Sequence, residues 1–148
     1  MTIFFDMDGT LAGLFFVKGF ADMLEKGDMT PYEIANPLYD VDEMKAIITA
    51  LKNKGYDIGI ISYVNEKNLS TATATKKAWL KKYFNFANDC NIHIVTKETA
   101  KSEFYTDGDI LVDDAKANRE DWENKGGKTI NAYFRAKVKM IDALRGLI

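Results

Sequence analysis

The chain has 148 residues, 47% of them hydrophobic and 28% charged, with a formal net charge of -2. That length suits a single domain with a full core, here taken as residues 1–148, and is too short for two ordinary domains. The near-neutral balance excludes a nucleic-acid or membrane-surface binder that works through bulk charge, so any phosphate affinity must be local.

Thr2-Ile3-Phe4-Phe5 reads as a buried strand that stops at Asp6-Met7-Asp8-Gly9-Thr10. It starts one residue after Met1, which leaves no room for a signal peptide, and no apolar run reaches the length of a membrane span; a cytoplasmic location is expected. Leu14 to Glu25 places Phe16, Val17, Phe20, Ala21 and Leu24 at helical spacing, with Gly27 as a stop. Thr30-Pro31-Tyr32-Glu33 carries the cap, first-turn proline and returning Glu of another helix, which Pro37 closes. The span of about 14–40 is therefore expected to be a small helical insert.

Asp40 to Glu43 forms a capping box, and Met44, Ile47, Ile48 and Leu51 make an apolar stripe that runs to Gly55. Asp57 to Ile61 is a second strand ending at Ser62. Lys67 to Phe84 is a long helix with Ala72, Trp79, Leu80 and Tyr83 facing inward, and its Lys76, Lys77, Lys81 and Lys82 read as a solvated basic stripe. Cys90, the one cysteine, cannot form an internal disulfide and is expected as a small core residue. Ile92 to Val95 is a third strand on which His93 points away from Ile92 and Ile94, in a structural role. A helical piece around Thr99 to Tyr105 precedes a fourth strand, Ile110 to Val112, and a helix from Ala115 to Lys125. Gly126-Gly127 turns the chain into a fifth strand, Lys128 to Asn131, and a helix from about Ala136 carries Met140, Ile141, Leu144 and Ile148 inward. Trp79 and Trp122 fall at packing positions.

Strands alternating with helices predict an α/β, three-layer Rossmann-like fold with a five-stranded parallel sheet. Ligands in such sheets sit beyond the carboxyl ends of the strands, where the winding reverses. With strands one to three winding outward and the fourth returning beside the first, Asp6, Ser62 and Asp113 emerge around one crevice. Asp109 starts the fourth strand, roughly 13 Å from Asp113 at 3.3 Å per residue, and is excluded.

Two apolar runs in this chain end in acids, Asp6-Met7-Asp8 and Asp113-Asp114. Carboxylates within about 4 Å repel by roughly 4 kcal/mol per pair at an effective dielectric near 20, and a hard divalent cation such as Mg²⁺ relieves that repulsion. The string Asp6-Met7-Asp8-Gly9-Thr10, with Ile110-Leu111-Val112-Asp113-Asp114 late in the chain, resembles the haloacid dehalogenase (HAD) superfamily of phosphotransferases. Residues 97 to 131, with Lys101-Ser102, Asn118, Trp122 and Gly126-Gly127, look like the cytosolic and phage-type 5'(3')-deoxyribonucleotidases.

The resemblance implies that Asp6 is a nucleophile forming an aspartyl-phosphate. It implies that Asp8 is the acid and base, its backbone carbonyl helping to hold Mg²⁺, and that Asp113 binds the metal beside Asp6, with Asp114 as a second ligand or in the outer shell. Ser62 matches the phosphate-binding Ser/Thr, with the Tyr63 and Val64 amides nearby. The resemblance also implies a phosphate-binding lysine shortly before the fourth strand, for which Lys101 is preferred over Lys97.

The implied activity is a Mg²⁺-dependent phosphatase acting on a small phosphomonoester, a (deoxy)nucleotide first. The insert is about half the length of the helical cap in those nucleotidases, which leaves base recognition to be established. Phe15, Phe16 and Phe20 either stack on a base or seat the insert. Two other readings stand beside this one: a phospho-receiver-like signalling module, and a phosphatase acting on macromolecular phosphate ends that an open crevice would admit.

Overall fold

The structure, a computed structural model, describes residues 1–148. Its core is a parallel sheet in the order β3-β2-β1-β4-β5, formed by β1 (Thr2–Phe5), β2 (Asp57–Tyr63), β3 (Ile92–Val95), β4 (Ile110–Asp113) and β5 (Lys128–Asn131). The winding reverses between β1 and β4, as the sequence leads one to expect. This is an α/β Rossmann-like fold. Register then sets which residues meet. Phe5 lies opposite Ile60 on one side and Val112 on the other, so Asp6, Ser62 and Asp113 arrive together at the carboxyl edge.

Alternation along β1 sorts its side chains between two layers. Ile3 and Phe5 join the large core with Ile58, Ile60, Val112 and Ile130. Three helices supply the other half of that core: α3 (Val41–Asn53), α4 (Leu69–Tyr83) and α6 (Met140–Arg145). Phe4 points the other way, to Ile61, Leu111 and Trp122 of α5 (Lys116–Asn124). His93 stacks on Phe104 on that side at 4.4 Å between ring centroids, and burial lowers its pKa. It packs as a structural residue. Asp109 accepts hydrogen bonds from the Thr2 amide at 2.6 Å and the Thr106 hydroxyl at 2.6 Å, at the amino edge of the sheet.

The Asp40 cap and the Met44, Ile47, Ile48, Leu51 stripe form as expected: the Asp40 carboxylate accepts the Glu43 amide at 2.8 Å and all four apolar residues are buried. The insert differs. Instead of one helix over Leu14 to Glu25 there is a 3-10 turn at Leu14–Phe16, then α1 (Phe20–Glu25). Gly19, at φ +75°, breaks the run between them. Thr30 lies inside α2 (Thr30–Ile34), which Met29 caps, and its hydroxyl bonds Asp28.

The insert is fastened to the Lys67–Phe84 region. The Trp79 indole donates to the Ala35 carbonyl at 2.8 Å, and the Asn68 amide donates to the Leu24 carbonyl at 2.9 Å. Three further expectations fail. Cys90 is exposed in a 3-10 turn before β3, the last helix starts at Met140 and not near Ala136, and Ile148 lies past its end in solvent. No helix is long and apolar enough to cross a membrane.

Candidate active site

The loop after β1 is shaped by one buried carbonyl. Met7 O accepts the amides of Thr10, Leu11 and Ala12 at 3.1, 2.9 and 2.8 Å, which curls the chain so that Asp6 and Asp8 face the same crevice. Gly9 makes the curl possible: its φ is +81°, and a Cβ there would stand 2.5 Å from Asp114 Oδ2. Thr10 ties this loop to the end of β4. Its hydroxyl accepts the Asp114 amide at 3.2 Å and donates to Asp114 Oδ1 at 3.3 Å. A crevice of about 570 Å³ opens here, with Asp6, Asp8, Asp114, Asn118, Tyr63 and Phe15 among its walls.

One ammonium sits between the two sets of acids. Lys101 Nζ lies 2.9 Å from Asp6 Oδ1 and 2.7 Å from Asp113 Oδ2, and all three residues are buried. Burial acts to lower the Lys101 pKa, but the two carboxylates outweigh it and raise the pKa. Lys97, its competitor in the sequence, is exposed at the crevice mouth. Asp113 is well supplied with donors: Oδ1 accepts the Ala115 amide at 2.8 Å, and Oδ2 also accepts Asn118 Nδ2 at 3.1 Å. Arg119 holds the turn by donating to the carbonyls of Asp113 and Asp114 at 2.9 and 2.7 Å.

A second buried ammonium corrects the sequence reading. Lys76 is not part of a solvated stripe. It is 1% exposed, and its Nζ lies 2.6 Å from Asp8 Oδ2, 2.8 Å from Ser62 Oγ and 3.2 Å from the Tyr63 carbonyl, with the Tyr32 ring of the insert 4.5 Å away. Lys81 and Lys82 are exposed as expected, and Lys77 is half-buried. The signal was in the spacing: Lys76 is four residues from both Ala72 and Leu80 and so shares their inward face. Ser62 is fully buried, and the Val64 amide, expected near the phosphate, is taken by the Val95 carbonyl at 2.9 Å.

Replacing Lys76 with Met should leave the Asp8 carboxylate facing an apolar stem. Stability to urea is expected to fall by about 3 kcal/mol, and turnover of any substrate that relies on Asp8 by roughly a hundredfold.

Carboxylate oxygens of Asp6, Asp113 and Asp114 all lie within 4.8 Å of one another. Three hard oxygen donors with one net ammonium among them suit Mg²⁺, which takes one or two carboxylates and keeps its waters. Asp114 differs from the other two in its partner, the neutral Thr10 hydroxyl, where Asp6 and Asp113 both meet the Lys101 ammonium. Burial, then Asp6, then Asp113 push its carboxyl up to about 6.

A carboxyl raised on folding stabilises the fold only while protonated. The metal-free protein should therefore lose stability as pH rises from about 4 through about 6, and Mg²⁺ should restore it only where Asp114 is ionised. Melting temperatures with and without Mg²⁺ should separate at pH 7.5 and nearly coincide at pH 5.

The fold matches that of the HAD domain of effector protein Lem4 from Legionella pneumophila, with a TM-score of 0.50 and 14% identity over 99% of this chain and 93% of that one. A structure of the same domain described as an inactive mutant aligns with a TM-score of 0.49 and 14% identity, covering 99% and 92%. No protein-family model matches the chain, and no curated protein does. The fold is thus HAD-like.

Proposed function

We propose that this chain is a Mg²⁺-dependent phosphomonoesterase of the HAD-like superfamily that works through an aspartyl-phosphate on Asp6, with a (deoxy)nucleotide as its substrate. The observation that carries the reading is Lys101 set between Asp6 and Asp113 at 2.9 and 2.7 Å. A carboxylate held on a rigid strand end beside an ammonium is a nucleophile with a donor for phosphoryl oxygens already in place.

In the first step an Asp6 oxygen bonds to phosphorus, the bond from phosphorus to the leaving oxygen breaks, and that oxygen takes the proton of Asp8. In the second, Asp8 takes a proton from water, whose oxygen attacks phosphorus and releases inorganic phosphate and the Asp6 carboxylate. Burial raises the Asp8 pKa while Lys76 opposes the rise, which suits a group that must both give and accept a proton. Lys101 and the Ser62 hydroxyl, oriented by Lys76, would bind the phosphoryl oxygens. Asp6, Asp113, Asp114 and the main-chain carbonyl of Asp8 would hold Mg²⁺, which when bound supplies charge to offset that of the transferring group.

The nucleotide reading is supported by a second cavity of about 610 Å³ that shares Tyr63 and Lys97 with the crevice. Phe20 and Tyr32 of the insert line it together with Asn65, Glu66 and Thr96. Aromatic walls with a few polar groups fit a base. A panel of nucleoside monophosphates, sugar phosphates and p-nitrophenyl phosphate with Mg²⁺ tests this. Release of phosphate from nucleotides at the highest kcat/KM is expected, and equal rates across the panel would remove the nucleotide assignment.

A further inference from the structure

The crevice has a rim that the proposed chemistry does not use. Four aromatic residues lie exposed in the loops that follow β1 and β5: Phe15 at 55%, Phe16 at 70%, Tyr133 at 45% and Phe134 at 47%. Phe15 is also a wall of the crevice. Phe16 meets Phe134 edge-on at 6.1 Å between centroids, Phe134 meets Tyr133 at 5.1 Å, and the Arg135 guanidinium lies 5.1 Å from the Phe134 ring. Phe16 itself lines a separate hollow with Gly13, Ile34 and Pro37, and the link to the crevice is through the chain: Phe15 precedes Phe16, and Tyr133 follows Ala132, whose amide bonds the Asp113 carbonyl.

This surface is fixed in place. The Ala132 amide donates to the Asp113 carbonyl at 3.1 Å, the Tyr133 amide to Asn131 Oδ1 at 2.9 Å, and Lys139 Nζ to the Phe134 carbonyl at 2.7 Å. It is also locally basic in a chain of net charge -2: from Lys125 to Ile141 there is no acid, while Arg135, Lys137 and Lys139 fall within five residues. Exposed rings with an arginine beside them and further cations close in sequence, a few residues from Asp113, match the chemistry of a nucleic-acid single strand, whose bases stack on aromatics and whose backbone needs positive charge. A mononucleotide has one base and no second phosphate, and so has nothing to place on this rim.

We propose that the surface formed by Phe16, Tyr133, Phe134, Arg135 and Lys137 binds a single-stranded polynucleotide whose terminal phosphate enters the crevice. The cleavage part rests on the phosphomonoesterase reading; the binding part does not. Binding is read by fluorescence anisotropy of labelled eight-residue oligothymidylates, phosphorylated at the 3' or the 5' end, on Asp6→Asn protein without Mg²⁺. Turnover is read as phosphate release by the full active chain from the same oligomers and from the thymidine monophosphates.

Oligomer affinity is expected to fall about tenfold in Phe134→Ala, the scale of one lost stack. The double variant Arg135→Ala, Lys137→Ala should reduce the salt slope of binding by about 1.4, at ~0.7 per cation on a single strand. Both variants should hydrolyse the monophosphates at the unchanged rate, whereas the unaltered chain should prefer an oligomer by tenfold or more in kcat/KM.

Oligomer affinity unmoved by these substitutions overturns the proposal, and so does equal kcat/KM for oligomer and monomer. Variants that lose binding to phosphatidylserine vesicles while keeping oligomer affinity overturn it in favour of a membrane. Oligomer binding that depends on the rim, with no phosphate released from any substrate, upholds the surface and removes the phosphomonoesterase reading alone.

Discussion

Asp6→Asn is expected to lower kcat by at least about a thousandfold, within the loss of up to about a millionfold that follows removal of a covalent nucleophile, while leaving the fold intact. The second half of that expectation separates chemistry from collapse. Asn keeps an oxygen where Asp6 Oδ1 accepts from Lys101. It also removes one of three crowded carboxylates, and the Asp6 charge is among the causes that raise both Asp113 and Asp114. Against this, the buried ammonium of Lys101 loses one of its two anionic partners. The two effects oppose each other, so a melting temperature within a few degrees of the unaltered chain is expected, together with weaker Mg²⁺ binding by calorimetry. Full turnover in this variant would remove Asp6 as nucleophile.

Lys101→Met should do the opposite: it should damage the fold as well as the chemistry. Asp113 is fully buried, and its pKa is raised by burial and by Asp6 while Lys101 acts to lower it. Met preserves the apolar stem and deletes the charge, leaving Asp6 and Asp113 to face each other with only the Ala115 amide and Asn118 as donors to Asp113. Removing one partner of a buried ion pair costs about 3–5 kcal/mol. The urea midpoint should fall accordingly, and Mg²⁺ should recover part of the loss because it offsets the same repulsion. Turnover should stay at least about a hundredfold down even at saturating Mg²⁺, since the proposed donor to the phosphoryl oxygens is gone. A variant as stable as the unaltered chain without Mg²⁺ would show that Lys101 does not neutralise these acids.

Much of this architecture could be read directly from residue order. Every strand appears where its β-branched and aromatic run lies. The return of β4 to the side of β1 is the winding under which the acids that end both strands meet, and it is the winding the sheet has. The Asp40 helix was visible because its cap and stripe are local signals, completed within four to seven residues. The insert was less legible: apolar spacing across Leu14 to Glu25 suggests one helix, but a single Gly19 in the left-handed region divides it. Exposure of Cys90, in the turn before β3, and of Ile148, past the end of α6, depends on how those segments lie against the rest of the fold, which no local pattern carries.

What the sequence settled by itself is the five-stranded parallel sheet and, on the condition that the fourth strand returns beside the first, the delivery of Asp6, Ser62 and Asp113 to one edge, because parallel winding leaves few other arrangements. The burial of Lys101 between Asp6 and Asp113 while Lys97 stays exposed, and the recruitment of Lys76 to Asp8 and Ser62, belonged to the tertiary structure. A lysine's long stem reaches a buried carboxylate or water equally well, and which it does depends on acids contributed from 68 residues away in the case of Lys76 and Asp8. Charge neutralisation in a buried crevice is a property of the assembled fold.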